Sequence, residues 1–277
     1  MKVVVTGASG FVGQSVVKEL LRQKIDVCAV ARRPIDFQNS VVVKNYDEIP
    51  VGDILIHLAD NPVRAEVNKC KDVYTAEAMN LAKKYTSFGF EKIIFASSAS
   101  VYGDKTMLPR KETDPVFAVD EYTKAKLACE SVYLDAGHSV VRLTNLYGHG
   151  MSKYNVFSAI LKNSTLKGNV KLKDDTAIRD FLWVDDAANS FSVIALGDRT
   201  GVYNIGSSIP VSIADLAEKI FEISRCIDCE LEVTNRSLKP SSLVLDISKI
   251  KKDFNWVPRI TLDEGISLLF NDKKPVE

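Results

Sequence analysis

The strongest constraint on this chain is a glycine-rich turn between its first apolar run and its first helical pattern. Val3 to Val5 form a β-branched run, Gly7, Gly10 and Gly13 follow at intervals of three, and apolar residues then recur with helical spacing. Strand, turn and helix in this order open a βαβ unit, in which a pyrophosphate can approach the helix N-terminus closely. The stretch therefore predicts a dinucleotide site. The residues expected to line it are Gly7, Ser9, Gly10, Phe11, Val12 and Gly13.

The remaining pattern predicts an α/β fold with a doubly wound, Rossmann-like parallel sheet and a smaller C-terminal α+β lobe. Strands are predicted at 26–31, 41–43, 53–58, 91–96 and 139–143, with helices at 65–88 and 121–135. Only about nine residues separate the third and fourth strands, which predicts a loop or a single turn instead of a crossover helix. Beyond Gly150 the alternation loosens, with helices at 156–166, 185–196, 215–224 and 262–270 and strands at 170–172, 178–184 and 231–234.

This pattern divides the chain into two parts. Residues 1–150 are predicted to form the dinucleotide-binding domain, and residues 178–205 to return partly to it. Residues 151–177 and 206–277 are predicted to form the lobe that binds the substrate.

Composition excludes several classes of partner. The 277 residues contain 36 acidic and 36 basic side chains without a basic stripe, so nucleic acid is not expected as a partner. No apolar run approaches the ~20 residues of a membrane span, and the opening strand leaves no room for a signal peptide, so a soluble cytoplasmic protein is expected. The five scattered cysteines indicate reduced thiols. Cys226 and Cys229 have no second pair, so no metal site is expected.

The end of the second predicted strand bears on the choice of cofactor. Ala31 is followed by Arg32 and Arg33, where NAD-binding folds place a carboxylate on the adenosine ribose and NADP-binding folds an arginine near its 2′-phosphate. Two guanidinium groups favour NADP(H), because each offers a planar fork of donors to a phosphate. NAD(H) stays the alternative, since arginines in this position also occur on solvated loops.

Residues suited to acid–base catalysis lie at the end of the fifth predicted strand and in the helix that follows it. Tyr122 and Lys126 lie one helical turn apart. A free phenol, with a pKa of about 10, is a poor acid or base at neutral pH, and a neighbouring ammonium favours its ionised form. Ser98 ends the strand at the edge where parallel sheets bind ligands. Ser98 is therefore predicted to bind the substrate oxygen that Tyr122 protonates.

Taken together, these segments resemble the extended short-chain dehydrogenase/reductases, in the branch of nucleotide-sugar epimerases, dehydratases and ketoreductases. The segments that carry the resemblance are 6–13 (TGASGFVG), 57–59 (HLA), 97–103 (SSASVYG), 122–126 (YTKAK), 142–148 (RLTNLYG) and 179–186 (RDFLWVDD). Shorter pieces at 203–206, 245–249 and 255–258 agree with them. The resemblance spans nearly the whole chain.

The resemblance implies a set of site residues. The catalytic set would be Ser98, Tyr122 and Lys126, and Lys126 would also hold the nicotinamide ribose. The cofactor residues would be those of the glycine turn with Arg32, Arg33, Leu58, Ala59, Tyr122 and Lys126. The substrate residues would be Ser98, Ser100, Asn145 and Arg179, with Arg236 or Lys239 as a second phosphate contact. A homodimer through residues 65–88 and 121–135 is also implied, whereas His57 is interpreted as structural.

Two departures from the family pattern concern the cofactor side. The family's Asn-Val-x-Gly-Thr phrase is matched here by residues 74–78 (YTAEA), so a water-mediated support of the catalytic lysine is lost or replaced. Lys44, Asn45 and Tyr46 stand where an aspartate usually meets the adenine. Both departures bear on cofactor affinity and selectivity, and neither involves Ser98, Tyr122 or Lys126.

The function expected from these residues is NADP(H)-dependent reduction of a keto group, at C4, of a nucleotide-activated deoxysugar. Hydride would pass from the nicotinamide while Tyr122 gives a proton to the oxygen. The alternative is an NAD-dependent C4 epimerase that uses the same residues. A dehydratase is disfavoured, because Ala99 and Ser100 follow Ser98 in place of acidic residues. A non-catalytic NADP-binding protein is a minor alternative.

Overall fold

The computed structural model describes residues 1–61, 63–70, 72–165, 168–172, 174–236, 239 and 241–271. Its strands are β1 (Lys2–Thr6), β2 (Asp26–Ala31), β3 (Ser40–Val42), β4 (Ile54–His57), β5 (Lys92–Ser98), β6 (Ser139–Leu143), β7 (Asn145–Tyr147), β8 (Val170–Leu172), β9 (Ile178–Arg179), β10 (Phe181–Trp183), β11 (Val202–Ile205), β12 (Val211–Ser212), β13 (Leu231–Val233) and β14 (Ser242–Leu243). The helices are α1 (Phe11–Arg22), α2 (Arg64–Cys70), α3 (Asp72–Thr86), α4 (Glu121–Asp135), α5 (Val156–Thr165), α6 (Val184–Leu196), α7 (Ile213–Ser224), α8 (Ser248–Phe254) and α9 (Leu262–Asn271). A short 3₁₀ helix, Ala99–Tyr102, follows β5.

Seven of these strands form one parallel sheet in the order β11-β6-β5-β4-β1-β2-β3. The interior strand β1 pairs with β2 on one side and with β4 on the other, so that Val3 lies beside both Val27 and Ile54. The carboxyl ends of β1, β4 and β5 therefore meet at one edge of the sheet. The connection from β3 to β4 contains no helix, which confirms the predicted loop.

Both faces of the sheet are covered, as doubly wound folds require. Successive side chains of a strand point to opposite faces, so Val3 and Val5 pack with α1 and α6. Val4, between them, packs on the other face with residues of α3 and α4, including Tyr85 and Tyr133. The α/β fold with its doubly wound parallel sheet is thus as the sequence predicts.

The C-terminal part has a separate apolar core. Phe157 and Ile160 of α5 pack there with Leu216 and Ile220 of α7 and Ile266 of α9. Small strand groups lie beside it: β7 pairs with β10, β8 with β13, and β9 lies between β12 and β14. A capping box between Ser212 and Asp215 begins α7.

The structure corrects several sequence expectations. Residues 178–184 are not one strand, because the buried carboxylate of Asp180 breaks it by accepting hydrogen bonds from three backbone amides, those of Ser207, Ser208 and Leu245. The sequence pattern does not predict the strands β7, β11, β12 and β14 or the helix α8. The predicted helix over 65–88 is described as α2 and α3, and Lys71 between them lies outside the described residues. Leu166, the predicted end of the helix that begins at 156, also lies outside them.

The expectation of reduced thiols is wrong for one pair of cysteines. Cys226 and Cys229 form a disulfide, with Cα atoms 5.5 Å apart. Arg225 ends α7 in a left-handed conformation, and a turn at residues 227 and 228 separates the two cysteines. Cys28, Cys70 and Cys129 are free thiols. None of the helices in the described ranges is long and apolar enough to cross a bilayer.

Candidate active site

The glycine turn has the geometry of a dinucleotide cradle. Gly7 has φ +71°, and a Cβ on it would lie 2.8 Å from the Ala59 nitrogen at the end of β4. A Cβ on Gly13 would overlap the Gly7 carbonyl oxygen. Helix α1 begins after Gly10 without a side-chain cap, which leaves its first N–H groups available to an anion. These features fit a pyrophosphate, and the turn touches the predicted cofactor residues Leu58 and Ala59.

A cleft of about 980 Å³ runs along the carboxyl edge of the sheet beside this turn. One end contains Arg32, Lys44 and Tyr46, with the Arg32 guanidinium 5.6 Å from the centre of the Tyr46 ring. Asp47 also lines this end, from the segment after β3. Arg33 is exposed beside it. The other end of the cleft reaches Ala59, Asp60, Tyr74, Tyr122 and Lys126.

Ser98 and Tyr122 come to this edge on different elements. Ser98 is the last residue of β5, and its Oγ lies 2.9 Å from the Ser100 Oγ and accepts a hydrogen bond from the Ser100 amide at 3.2 Å. Tyr122 lies in the first turn of α4, where a capping box between Asp120 and Thr123 sets the start of the helix. The two serines are therefore joined to each other, and Tyr122 stands on a fixed helix terminus.

The Lys126 ammonium is buried one turn further along α4. Its Nζ donates to the Ala96 carbonyl oxygen of β5 at 2.6 Å and lies 2.6 Å from Oδ2 of Asp60, just beyond β4. Burial alone would lower the pKa of Lys126, but the charge of Asp60 and the nearby Tyr122 outweigh it and raise that pKa. Lys126 is therefore charged at neutral pH. Since Ala96 and Ser98 are two apart on β5, they share one face of the strand.

Three side chains near this cluster were not identified from the sequence. The Tyr74 hydroxyl of α3 donates to Oδ1 of Asp60, which also accepts from the Asn61 amide at 2.8 Å. The Arg64 guanidinium lies 5.2 Å from the centre of the Tyr122 ring and pairs with Asp120 at 2.7 Å. A carboxylate directly after β4 was a readable signal for Asp60, because ligands bind at that edge. Tyr74 begins the segment 74–78 that replaces the family's Asn-Val-x-Gly-Thr phrase, but nothing in the sequence shows that its hydroxyl reaches Asp60. Nothing local in the sequence points to Arg64.

His57 is buried behind the cluster. Its Nδ1 lies 2.7 Å from the Tyr133 hydroxyl, and aromatic rings of Tyr85, Phe95 and Tyr133 surround it. Burial, with the charge of Lys126, lowers the pKa of His57 to about 4, so the imidazole is neutral at pH 7. These surroundings agree with the structural interpretation.

The predicted substrate residues Asn145, Arg179 and Arg236 each bind other parts of the chain. The Asn145 side chain donates to the Asp180 carbonyl oxygen at 3.2 Å, which joins β7 to the segment after Arg179. The Arg179 guanidinium contacts Asp104 at 3.3 Å and the Ser241 hydroxyl at 2.8 Å. Arg236 makes two hydrogen bonds of 2.7 and 2.8 Å to Asp175.

A buried ion pair supports the strand that ends at Ser98. Glu130 of α4 and Arg142 of β6 form it, with 2.6 Å between Oε2 and Nη2. Glu130 also accepts a hydrogen bond of 2.5 Å from the Ser97 hydroxyl. Arg142 donates to the Tyr102 hydroxyl at 2.8 Å. The helix that carries Tyr122 and Lys126 is thus tied to the strand that carries Ser98.

Comparison with known proteins identifies the family of this chain. The model of the NAD dependent epimerase/dehydratase family matches residues 3–206, a range that includes the glycine turn and all three residues of the predicted catalytic set. The chain belongs to this family. UDP-glucuronic acid decarboxylase 6 of Arabidopsis thaliana is 25% identical over 311 residues, which cover 98% of this chain and 88% of the relative.

Two solved structures have the same fold. The UDP-glucose 4-epimerase of Thermotoga maritima, solved with UDP-glucose, has a TM-score of 0.86 at 22% identity, with 97% of each chain covered. The UDP-glucose 4-epimerase of Thermus thermophilus, in complex with NAD, has a TM-score of 0.83 at 22% identity, with 98% of each chain covered. These likenesses show the Rossmann-like fold for this chain.

Proposed function

We propose that this member of the family uses NADP(H) to reduce a keto group, at C4, of a nucleotide-activated deoxysugar. The observation that carries the proposal is the adenosine end of the cleft, where Arg32 and Lys44 line the wall and no carboxylate directly follows β2. A 2′-phosphate suits two cations, and net reductions commonly use NADPH.

The proposed chemistry assigns one role to each residue of the cluster. The dinucleotide, when bound, supplies the hydride. Tyr122 gives the proton to the carbonyl oxygen, Ser98 holds that oxygen by a hydrogen bond, and the charge of Lys126 assists loss of the proton from the phenol. Ser100 keeps the Ser98 hydroxyl oriented, because their oxygens are 2.9 Å apart. Asn145, Arg179 and Arg236 are proposed for the nucleotide diphosphate of the substrate.

A C4 epimerase with tightly held NAD is the second candidate. The two epimerases of the same fold, one in complex with NAD, favour it. The same Ser98, Tyr122 and Lys126 would serve both reactions, so cofactor exchange distinguishes them. A purified protein that releases NAD on denaturation and binds NADPH no better than NADH would support the epimerase. A protein that binds NADPH much more tightly, and is purified without cofactor, would support the reductase.

Replacement of the phenol tests the assigned proton donor. Tyr122→Phe should lower kcat for the keto sugar by about 10²- to 10⁴-fold, because it removes the acid and keeps the ring. Titration with NADPH should still show binding, since the glycine turn is unchanged. Turnover equal to the unmodified protein would overturn the assignment. Turnover of no nucleotide sugar by the unmodified protein, with NADPH bound, would support the non-catalytic alternative.

The proposed assembly and location follow the family resemblance. A homodimer through α3 and α4 stays a prediction, which sedimentation analysis of the purified protein tests. Cytoplasmic location likewise stays a prediction.

A further inference from the structure

The Lys126 ammonium has more fixed partners than a lysine that only faces a ligand. An ammonium has three N–H donors. In Lys126 one points to the Ala96 carbonyl oxygen and another to the Asp60 carboxylate, both at 2.6 Å. These contacts leave one donor for a third acceptor. The Lys126 side chain is only 8% exposed and that of Asp60 25%, so the pair lies at the floor of the cleft.

The Asp60 carboxylate is itself oriented by two donors. The Tyr74 hydroxyl and the Asn61 amide both donate to Oδ1, which leaves Oδ2 to Lys126. Burial and the adjacent Asp60 charge raise the pKa of Tyr74, so its hydroxyl remains protonated and can only donate to the carboxylate. Burial would raise the pKa of Asp60, but the charge of Lys126 outweighs it and lowers that pKa.

Asp60 supplies the negative charge in contact with this ammonium. The titratable groups that face Lys126 come from every neighbouring element: His57 of β4, Asp60 after β4, Tyr74 of α3 through Asp60, and Tyr122 and Cys129 of α4. His57 is neutral, and burial raises the pKa of Cys129 to about 12, so the thiol is uncharged at neutral pH. Asp60 therefore compensates the charge of the buried lysine.

We propose that Asp60, oriented by Tyr74, is a positioning residue that holds the Lys126 ammonium charged and aimed at Tyr122. The inference rests on the proposed function, which assigns to Lys126 the role of assisting proton loss from Tyr122. The family's Asn-Val-x-Gly-Thr phrase, which supports the lysine through water, is matched here by residues 74–78 (YTAEA). In this chain Asp60, bound by Tyr74, contacts the lysine in place of that support. Asp60, just beyond β4, contacts the ammonium directly, and Tyr74 of α3 acts through Asp60.

The protonation of Lys126 tests the inference without cofactor or substrate. Asp60→Asn keeps the shape and the hydrogen-bonding oxygen but removes the charge. Side-chain NMR of protein with ¹³C-labelled lysine, with the Lys126 signal identified by its loss in Lys126→Met, follows the titration. The Lys126 midpoint should fall by about 1 to 3 pH units in Asp60→Asn, because a buried ammonium loses its partner. An unchanged midpoint would overturn the inference.

Matched variants separate this effect from a general one. Asp72→Asn removes a carboxylate that pairs with the exposed Lys124 on the same helix, and it should leave the Lys126 midpoint in place. Tyr74→Phe keeps the Asp60 charge and removes one of its donors, so it should shift the midpoint less, in the same direction. If Asp60→Asn does not fold, Tyr74→Phe carries the test, and an unshifted midpoint there would contradict the inference.

Kinetics give the second arm. Asp60→Asn should lower kcat by about 100-fold with little change in KM for the sugar. The reason is that the displaced Lys126 ammonium acts, through Tyr122, on the reacting atoms. Asp60→Glu should restore part of the loss by returning the charge. If the unmodified protein turns over no nucleotide sugar, the proposed function fails while the NMR titration still decides the role of Asp60.

Discussion

Two ion pairs, one in each part of the molecule, show how differently the two parts are held. Glu130 and Arg142 join α4 to β6 in the part that contains the seven-stranded sheet, and their side chains are only 4% and 6% exposed. Lys219 and Asp263 join α7 to α9 in the C-terminal lobe, at 2.7 Å, with side chains 39% and 59% exposed. Both pairs cross between elements at similar distance, so burial is the main difference between them.

The contacts around the two ion pairs show how the difference in burial affects the candidate site. Glu130 also binds Ser97, the neighbour of Ser98, and Arg142 binds Tyr102. In the lobe, the packing of Leu216 and Ile266 joins the same two helices as the ion pair. Buried charged groups thus tie α4 to the strand that ends at Ser98, whereas α7 and α9 are joined by apolar contacts and an exposed ion pair.

The largest effect is expected for the buried pair. Glu130→Gln should lower the free energy of unfolding by about 3–5 kcal/mol, because it leaves the Arg142 charge buried without a counter-charge. Urea denaturation measures the change. Asp135→Asn, at the exposed end of the same helix, should change stability by less than about 0.5 kcal/mol. A loss below about 1 kcal/mol for Glu130→Gln would make the two ion pairs equivalent and remove the contrast.

An intermediate effect is expected where a glycine is required by close packing. A Cβ on Gly13 meets the backbone of the glycine turn, and one on Gly265 in α9 meets the side chain of Tyr147. Gly13→Ala should cost about 1–3 kcal/mol and weaken NADPH binding, since the turn must move. Both glycines lie within helices, so alanine gains a similar helix propensity at each of them. Gly265→Ala should cost less, because the Tyr147 side chain can move more easily than the backbone that a Cβ on Gly13 meets. Equal losses in the two variants, measured by thermal unfolding, would contradict the ordering.

The features that the sequence predicts are those that depend on residues close to one another along the chain. The glycine turn, the alternating strands and the Tyr122–Lys126 spacing depend on near neighbours, so their residues can be recognised in order. The pairing of Asp60 with Lys126 spans 66 positions, and Asp180 breaks its strand only because Ser207 and Leu245 return to it. Such contacts depend on the folded topology, which is why residues 178–184 were expected as one strand and Tyr74 was not identified.

The smallest effect is expected for the exposed pair, and salt makes it diagnostic. Lys219→Gln should lower the free energy of unfolding by about 0.2–1 kcal/mol, because water already screens both charges and ordering two long side chains offsets their attraction. In 1 M salt the screening length falls to about 3 Å, so this difference should vanish. The loss from Glu130→Gln should persist there, since ions do not reach a buried arginine. Denaturation of both variants at low and high salt measures the contrast directly. If the Lys219→Gln loss also persists, the lobe is held by its charges as the part that contains the seven-stranded sheet is.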